Sequence, residues 1–275
     1  MEELIAMNTY GFIGVGNMGG ALARAVCRKF PRETLLSGRT SARAESLAKE
    51  LGCRASDAHT VAESCRYIFL GVKPQTMPEL LSDLSPVFAA RIKRGERFVL
   101  VSMAAGLTMN TISALSGGVP VIRIMPNTPV AVGAGMTLAC ADPSVTEEEF
   151  SELLSALEYA GRTDRIDERE MDAASVVAGC SPAYMFRFVK ALADAGTALG
   201  LSAEKALTYA EQSMFGAAKL ALETGTPPDE LETAVCSPGG STIEGIKSFE
   251  RAELDRIVKE AASASYRRTK ELAGK

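Results

Sequence analysis

The sequence predicts an α/β protein: a mostly parallel, doubly wound sheet in its N-terminal part, followed by an all-α C-terminal domain that dimerises. Three observations predict it. Residues 10–20 read as a short apolar strand, a glycine loop and the start of a helix. The runs at 67–72, 98–102 and 119–125 are continuously apolar and of strand length, as strands buried on both faces of a parallel sheet require. Beyond Glu168 no strand-like run occurs and the pattern is helical almost throughout. The expected division is therefore 1–166 and 167–275, in keeping with about 100 to 200 residues per domain.

In the first loop Gly14, Gly16 and Gly19 have the spacing GxGxxG. Gly14 suits a tight turn, Gly16 lets the backbone approach a pyrophosphate, and Gly19 lets helix and strand pack closely. With the strand before it and an Ala-rich helix at 21–28 after it, the motif reads as a Rossmann dinucleotide site. Gly14, Val15, Gly16, Asn17, Met18 and Gly19 are expected against the phosphates, with the helix dipole aimed at them.

The second strand is expected at 34–37 and an exposed helix at 41–51, closed by Gly52. An NAD-preferring site carries an acid about 20 residues beyond the glycines. Here Ser37, Gly38, Arg39 and Thr40 stand at that place. An arginine flanked by hydroxyls suits a ribose 2′-phosphate, so Ser37, Arg39 and Thr40 are expected to bind NADPH, with NADH the alternative.

The three apolar runs end in Lys73-Pro74, in Ala104-Ala105-Gly106 and in Pro126-Asn127-Thr128-Pro129, and Pro78 begins a helix. Ligands of open α/β sheets bind at the C-terminal edge of the strands. Val72, Lys73, Pro74, Ala104, Ala105, Gly106 and Asn127 are thus expected to line the nicotinamide end. An edge strand is expected at 135–140, a helix capped by Thr146 with three glutamates in its first turn, and a last strand at 161–166.

The helical part begins with a helix at 171–179, broken or kinked at Pro182. Helices at 183–199, closed by Gly200, and at 206–222 are apolar around most of their circumference, with Met185, Phe186, Phe188, Val189 and Leu192 on the first. Such helices are buried, which implies a partner subunit. Ser202 caps the second, and a charged amphipathic helix at 252–271 presents a solvated face.

Between two helices stands Ser237-Pro238-Gly239-Gly240-Ser241-Thr242. Ser241 with Glu244 fits a capping box that starts a helix at about Thr242. Ser237, Pro238, Gly239 and Gly240 are left over by that account. They expose backbone amides at a helix N-terminus, bordered by the Ser237 and Thr242 hydroxyls, and such a nest holds a carboxylate. A formal charge of −4 supplies no general basic field for nucleic acid, so an anionic substrate must be held by local groups of this kind.

No apolar run reaches the roughly 18 residues of a membrane span, and residues 1–7 lack the basic start and apolar core of a signal peptide. The chain is expected in the cytoplasm. Cys27, Cys53, Cys65, Cys140, Cys180 and Cys236 form no CxxC pair and read as small buried residues in a reducing compartment. His59, the sole histidine, is expected at the surface near a helix start. No metal site and no Ser-His-Asp triad is expected from it.

The chain resembles the Δ1-pyrroline-5-carboxylate reductase family over essentially its whole length. The residues that carry the resemblance are those of 11–19, Gly71-Val72-Lys73-Pro74, Ala104-Ala105-Gly106, 123–129, Gly179-Cys180-Ser181-Pro182-Ala183-Tyr184, 191–196 and 237–242. The resemblance implies reduction of the cyclic imine 1-pyrroline-5-carboxylate to L-proline. It also implies a helical domain interleaved in a homodimer, often assembled into a decamer of five dimers, with the active site at the interface. Ser237, Gly240, Ser241 and Thr242 would hold the pyrroline carboxylate, with Thr242 near the ring nitrogen and reached from the neighbouring subunit. One departure is Cys180-Ser181 where the family often has Ser or Thr followed by Gly, which bears on packing at that place. A β-hydroxyacid dehydrogenase would need a catalytic lysine with an asparagine four residues on, but Lys190 is followed by Asp194. A nucleotide sensor without turnover would have no use for a carboxylate nest.

Overall fold

A computed structural model of the chain describes residues 9–272; the stretch 1–7, read above for a leader sequence, lies outside them. The sheet comprises β1 (Tyr10–Ile13), β2 (Thr34–Ser37), β3 (Arg54–Ala55), β4 (Tyr67–Leu70), β5 (Val99–Ser102), β6 (Val121–Pro126), β7 (Gly135–Ala141) and β8 (Gly161–Arg165). Their spatial order is β3-β2-β1-β4-β5-β6-β7-β8. The first six follow the doubly wound dinucleotide-binding order. All neighbours pair parallel except β6 and β7, which run antiparallel.

Helices cover both faces, as a parallel sheet requires. On one face α1 (Asn17–Cys27), α2 (Ser41–Leu51) and α6 (Glu147–Ala156) pack against Phe12, Leu36, Phe69 and Val101. On the other, α3 (Ala58–Ser64), α4 (Met77–Lys93) and α5 (Met109–Leu115) cover Leu35, Ile68, Leu70 and Leu100. Phe12 and Phe69 stack with centroids 4.2 Å apart and are fully buried. Each contributes about 1.5 to 3 kcal/mol by burial.

Two local expectations are corrected here. The helix after the glycine loop starts at Asn17, not at residue 21, so Gly19 and Gly20 lie in its first turn. The strand expected at the edge lies inside the sheet, because β8 pairs along its far side. Of the cysteines, Cys27, Cys65 and Cys140 are buried, whereas Cys53, Cys180 and Cys236 are only partly so.

The helical part comprises α7 (Met171–Ser175), a π-helical turn (Val176–Cys180), α8 (Ser181–Ala198), α9 (Ala203–Thr224), α10 (Pro228–Val235), α11 (Ser241–Arg251) and α12 (Leu254–Leu272). The break expected at Pro182 is a π turn just ahead of it. Pro182 itself is the second residue of α8, which continues the helix directly from that turn, so its missing N–H leaves a carbonyl of the preceding turn to find another donor. By packing, the chain divides into a unit reaching Cys180, joined by the stretch from Tyr266 onward, and a second unit over Ser181–Ser265. In that packing Met171 is fully buried in the sheet's core and Lys270 reaches back to Asp172, 3.3 Å away.

Within the second unit α8 and α9 pack closely, with Gly196 facing Ala206. Its buried apolar residues, among those described, are Ala193, Ala206 and Ala210. Phe186 is 67% exposed, Phe215 59% and Leu222 64%, so the large side chains face outward.

Candidate active site

In a doubly wound sheet the ligand crevice opens where neighbouring strands lead away in opposite directions. Here that is between β1, which continues to β2, and β4, which continues to β5. The loop after β1 is drawn across this point: the Gly14 amide donates to the Ser37 carbonyl at 2.8 Å, and the Gly71 amide to the Ile13 carbonyl at 2.8 Å. Gly14 has φ +102°, and a Cβ there would lie 2.6 Å from the Gly71 carbonyl oxygen. A Cβ on Gly19 or on Gly71 would run into the Gly14 carbonyl oxygen. These three backbones therefore interlock and seat the start of α1 directly over the strand ends.

Gly16 meets the opposite situation, since a Cβ added to it would touch nothing within 4 Å. It is the N-cap of α1, makes no side-chain cap, and is followed by no acid in the first turn. The first intrahelical bond runs from the Gly20 amide to the Gly16 carbonyl, 2.8 Å, which leaves the Asn17, Met18 and Gly19 amides without an intrahelical acceptor. An open space faced by free amides at a helix N-terminus fits a dinucleotide pyrophosphate. A cavity of about 430 Å³ opens from it, lined by Val15, Gly16, Asn17 and Ala21 and farther along by Arg24, Arg43 and Glu50.

Ser37 is buried at the end of β2, while Arg39 and Thr40 are exposed. Thr40 is the N-cap of α2, yet its hydroxyl makes no cap hydrogen bond. At the other strand ends Val72 and Ala104 pack on the same core cluster as Ala178. Lys73 and Ala105 are exposed, Gly106 half-buried, and Pro74 opens a 3-10 turn. Asn127 has both ends of its amide engaged: Nδ2 donates to the Ala178 carbonyl at 2.9 Å, and Oδ1 accepts from the Met136 amide at 2.9 Å. It thereby ties the end of β6 to β7 and to the π turn. Sequence reasoning did not show this clamp, because its partners are backbone groups distant along the chain.

Between α10 and α11 the Gly240 amide donates to the Ser237 carbonyl at 3.0 Å, closing a turn with Pro238 second and Gly239, at φ +73°, third. A type II turn takes proline and glycine at these places. The capping box expected of Ser241 and Glu244 is absent: Gly240 is the N-cap, Ser241 is already helical, and no side chain caps the end. Glu244 instead pairs with Lys247 at 2.8 Å. No side chain therefore competes for the first amides of α11, and Ser237, Ser241 and Thr242 are exposed beside them. By contrast α3, α5, α6 and α9 are capped by Asp57, Thr108, Thr146 and Ser202. Lys190 is ion-paired with Asp194 at 2.5 Å, which leaves it poorly suited to serve as a free catalytic lysine.

The fold and the crevice define a nicotinamide-dinucleotide-dependent oxidoreductase. Residues 168–272 match the family model described as pyrroline-5-carboxylate reductase dimerisation, and 9–106 match that described as NADP oxidoreductase, coenzyme F420-dependent. The pyrroline-5-carboxylate reductase of Aquifex aeolicus is 34% identical over 99% of this chain and 100% of its own, and that of Escherichia coli 34% identical over 96% and 97%. The chain belongs to the pyrroline-5-carboxylate reductase family. Among solved structures, the reductase of Coxiella burnetii superposes with a TM-score of 0.89 at 28% identity, covering 97% of this chain and 98% of that one. The Plasmodium falciparum pyrroline carboxylate reductase with NADP bound gives 0.84 at 25% identity, covering 98% and 99%. Among the described residues no helix is long and apolar enough to cross a membrane.

Proposed function

We propose that this chain reduces 1-pyrroline-5-carboxylate to L-proline with NADPH, as a cytoplasmic homodimer whose active sites each draw on two subunits. The observation that carries the reading is the glycine-capped start of α11, whose amides are left free beside three hydroxyls. In this reading residues 1–166 bind the cofactor and 167–275 bind the substrate and the partner subunit. Dimers assembling into a decamer is the larger architecture we assign. Six free cysteines without paired spacing support a reducing compartment.

The substrate's carboxylate seats on the amides of Ser241, Thr242 and Ile243, with Ser237 and Gly239 shaping the turn before them. Thr242 extends its hydroxyl toward the ring nitrogen. NADPH, when bound, supplies the hydride that the imine carbon accepts while its nitrogen takes a proton. A protonated imine is electrophilic enough that the protein has chiefly to position it. That agrees with a chain whose sole histidine, His59, lies at the surface beside Asp83, 3.5 Å away. The loops ending β4, β5 and β6 border the nicotinamide.

Loss of NADPH absorbance in the presence of pyrroline-5-carboxylate is the expected result, with Thr242→Ala lowering turnover or substrate affinity by about tenfold or more, as removal of one well-placed hydrogen bond does. Unchanged kinetics in Thr242→Ala would remove that residue from the mechanism.

A further inference from the structure

We infer that Arg43 is a second specificity-determining residue for the cofactor, forming with Arg39 a two-arginine clamp on the ribose 2′-phosphate. The inference rests on the NADPH reading above and names a residue that the sequence pattern did not single out. Three observations carry it.

The cavity that opens from Gly16 is lined by two cations, Arg24 and Arg43, and by one acid, Glu50. Glu50 is committed to Arg24 through a two-pronged pair whose longer arm, Nη2 to Oε2, is 2.9 Å. Arg43 remains as the uncompensated charge of that cavity, and among the described residues neither it nor Arg39 has a carboxylate partner. An anion entering beside the pyrophosphate space therefore meets Arg43 and is not offered Arg24.

Arg43 also stands in the first turn of α2, where no acid is present. The positive end of the helix dipole disfavours a cation there, so the position opposes folding slightly unless an anion is bound. Finally, the Thr40 hydroxyl at the N-cap makes no bond to the helix, and with Ser41 it leaves two hydroxyls between the two arginines. A dianionic phosphate monoester satisfies all of these groups together, whereas the ribose hydroxyl of NADH has no charge to offer them.

The test measures dissociation constants of NADPH and NADH for the wild-type protein and for Arg39→Ala, Arg43→Ala, Arg43→Lys and the double alanine variant. Inhibition by 2′-AMP and 5′-AMP is read alongside. The expected result is that Arg43→Ala lowers the NADPH/NADH preference about tenfold, that Arg43→Lys recovers part of it, and that 2′-AMP weakens while 5′-AMP does not follow. The double variant should lose less than the product of the single losses, since both arginines hold one phosphate. If Arg43→Ala shifts both cofactors equally while Arg39→Ala alone abolishes the preference, the inference falls and the NADPH reading stands. If the wild-type protein prefers NADH, both fall.

Discussion

Gly16 and Gly19 belong to one loop and meet opposite environments, so the same substitution should have opposite consequences at the two. A methyl group on Gly19 runs into the Gly14 carbonyl oxygen, a backbone atom that cannot turn aside. Gly19→Ala is expected to cost about 2 to 3 kcal/mol of stability. Gly16 has φ −67°, which any residue adopts, and open space at its Cβ. Gly16→Ala should leave stability within about 0.5 kcal/mol and weaken NADPH binding at least tenfold. Denaturant unfolding and cofactor titration of the two variants check this, and equal stability losses would contradict it. At this scale the glycine loop was legible because each glycine answers a steric demand local to the motif. Arg43 was not, because an arginine on a helix is ordinary until one knows that Glu50 is spent on Arg24. Glu244 misled for a related reason: a capping-box spacing states what a side chain can do, and here the turn closed by Pro238 and Gly239 made Gly240 the cap.

Among the elements, α6 shows how a sequence signal and a buried charge reinforce one another. Thr146 accepts from the Glu149 amide, and Glu149 reaches back to the Thr146 amide at 2.9 Å. The same carboxylate, 3% exposed, is gripped by both arms of Arg97 at 2.7 Å. Its pKa lies below the ordinary 4.5, first through the Arg97 hydrogen bonds, against the opposing effect of burial. A carboxylate with a depressed pKa contributes stability that is present above the unfolded value and lost as pH falls through the folded one. Arg97→Ala should therefore cost about 1 to 2 kcal/mol at neutral pH, discounted because Arg97 is half exposed. The gap from the wild type should close as pH drops below about 4.5. Unfolding curves across that range check it, and a gap independent of pH would assign the loss to packing. The hydroxyl cap and acidic first turn of this helix were readable in sequence. The place of β7 was not: strand order depends on β8 pairing across it, and nothing in residues 135–141 encodes which strand lies beyond.

For the whole molecule, the two proposed anion sites stand at the starts of α1 and α11, both begun by a glycine with no side-chain cap. They lie in different compact units. The unit over Ser181–Ser265 buries only small residues and turns Phe186, Phe215 and Leu222 outward. Apolar helices of that kind seek a second copy, and apolar residues around most of the helix circumference made this readable before any fold was known. The precise extent of the units was less so, because Met171 packs into the sheet's core and Lys270 pairs with Asp172, contacts far apart in sequence. The central claim is that one subunit's carboxylate nest works with the other's cofactor site. It is tested most directly by mixing two inactive variants, Ser237→Ala with Thr242→Ala in one chain and Gly16→Asp in the other, and following NADPH oxidation by pyrroline-5-carboxylate after co-refolding. The account predicts that either variant alone is nearly inactive and that the mixture regains activity from dimers holding one intact nest and one intact glycine loop in the same site. No recovery despite demonstrated exchange of subunits, or an active monomer in sedimentation at low concentration, would contradict it.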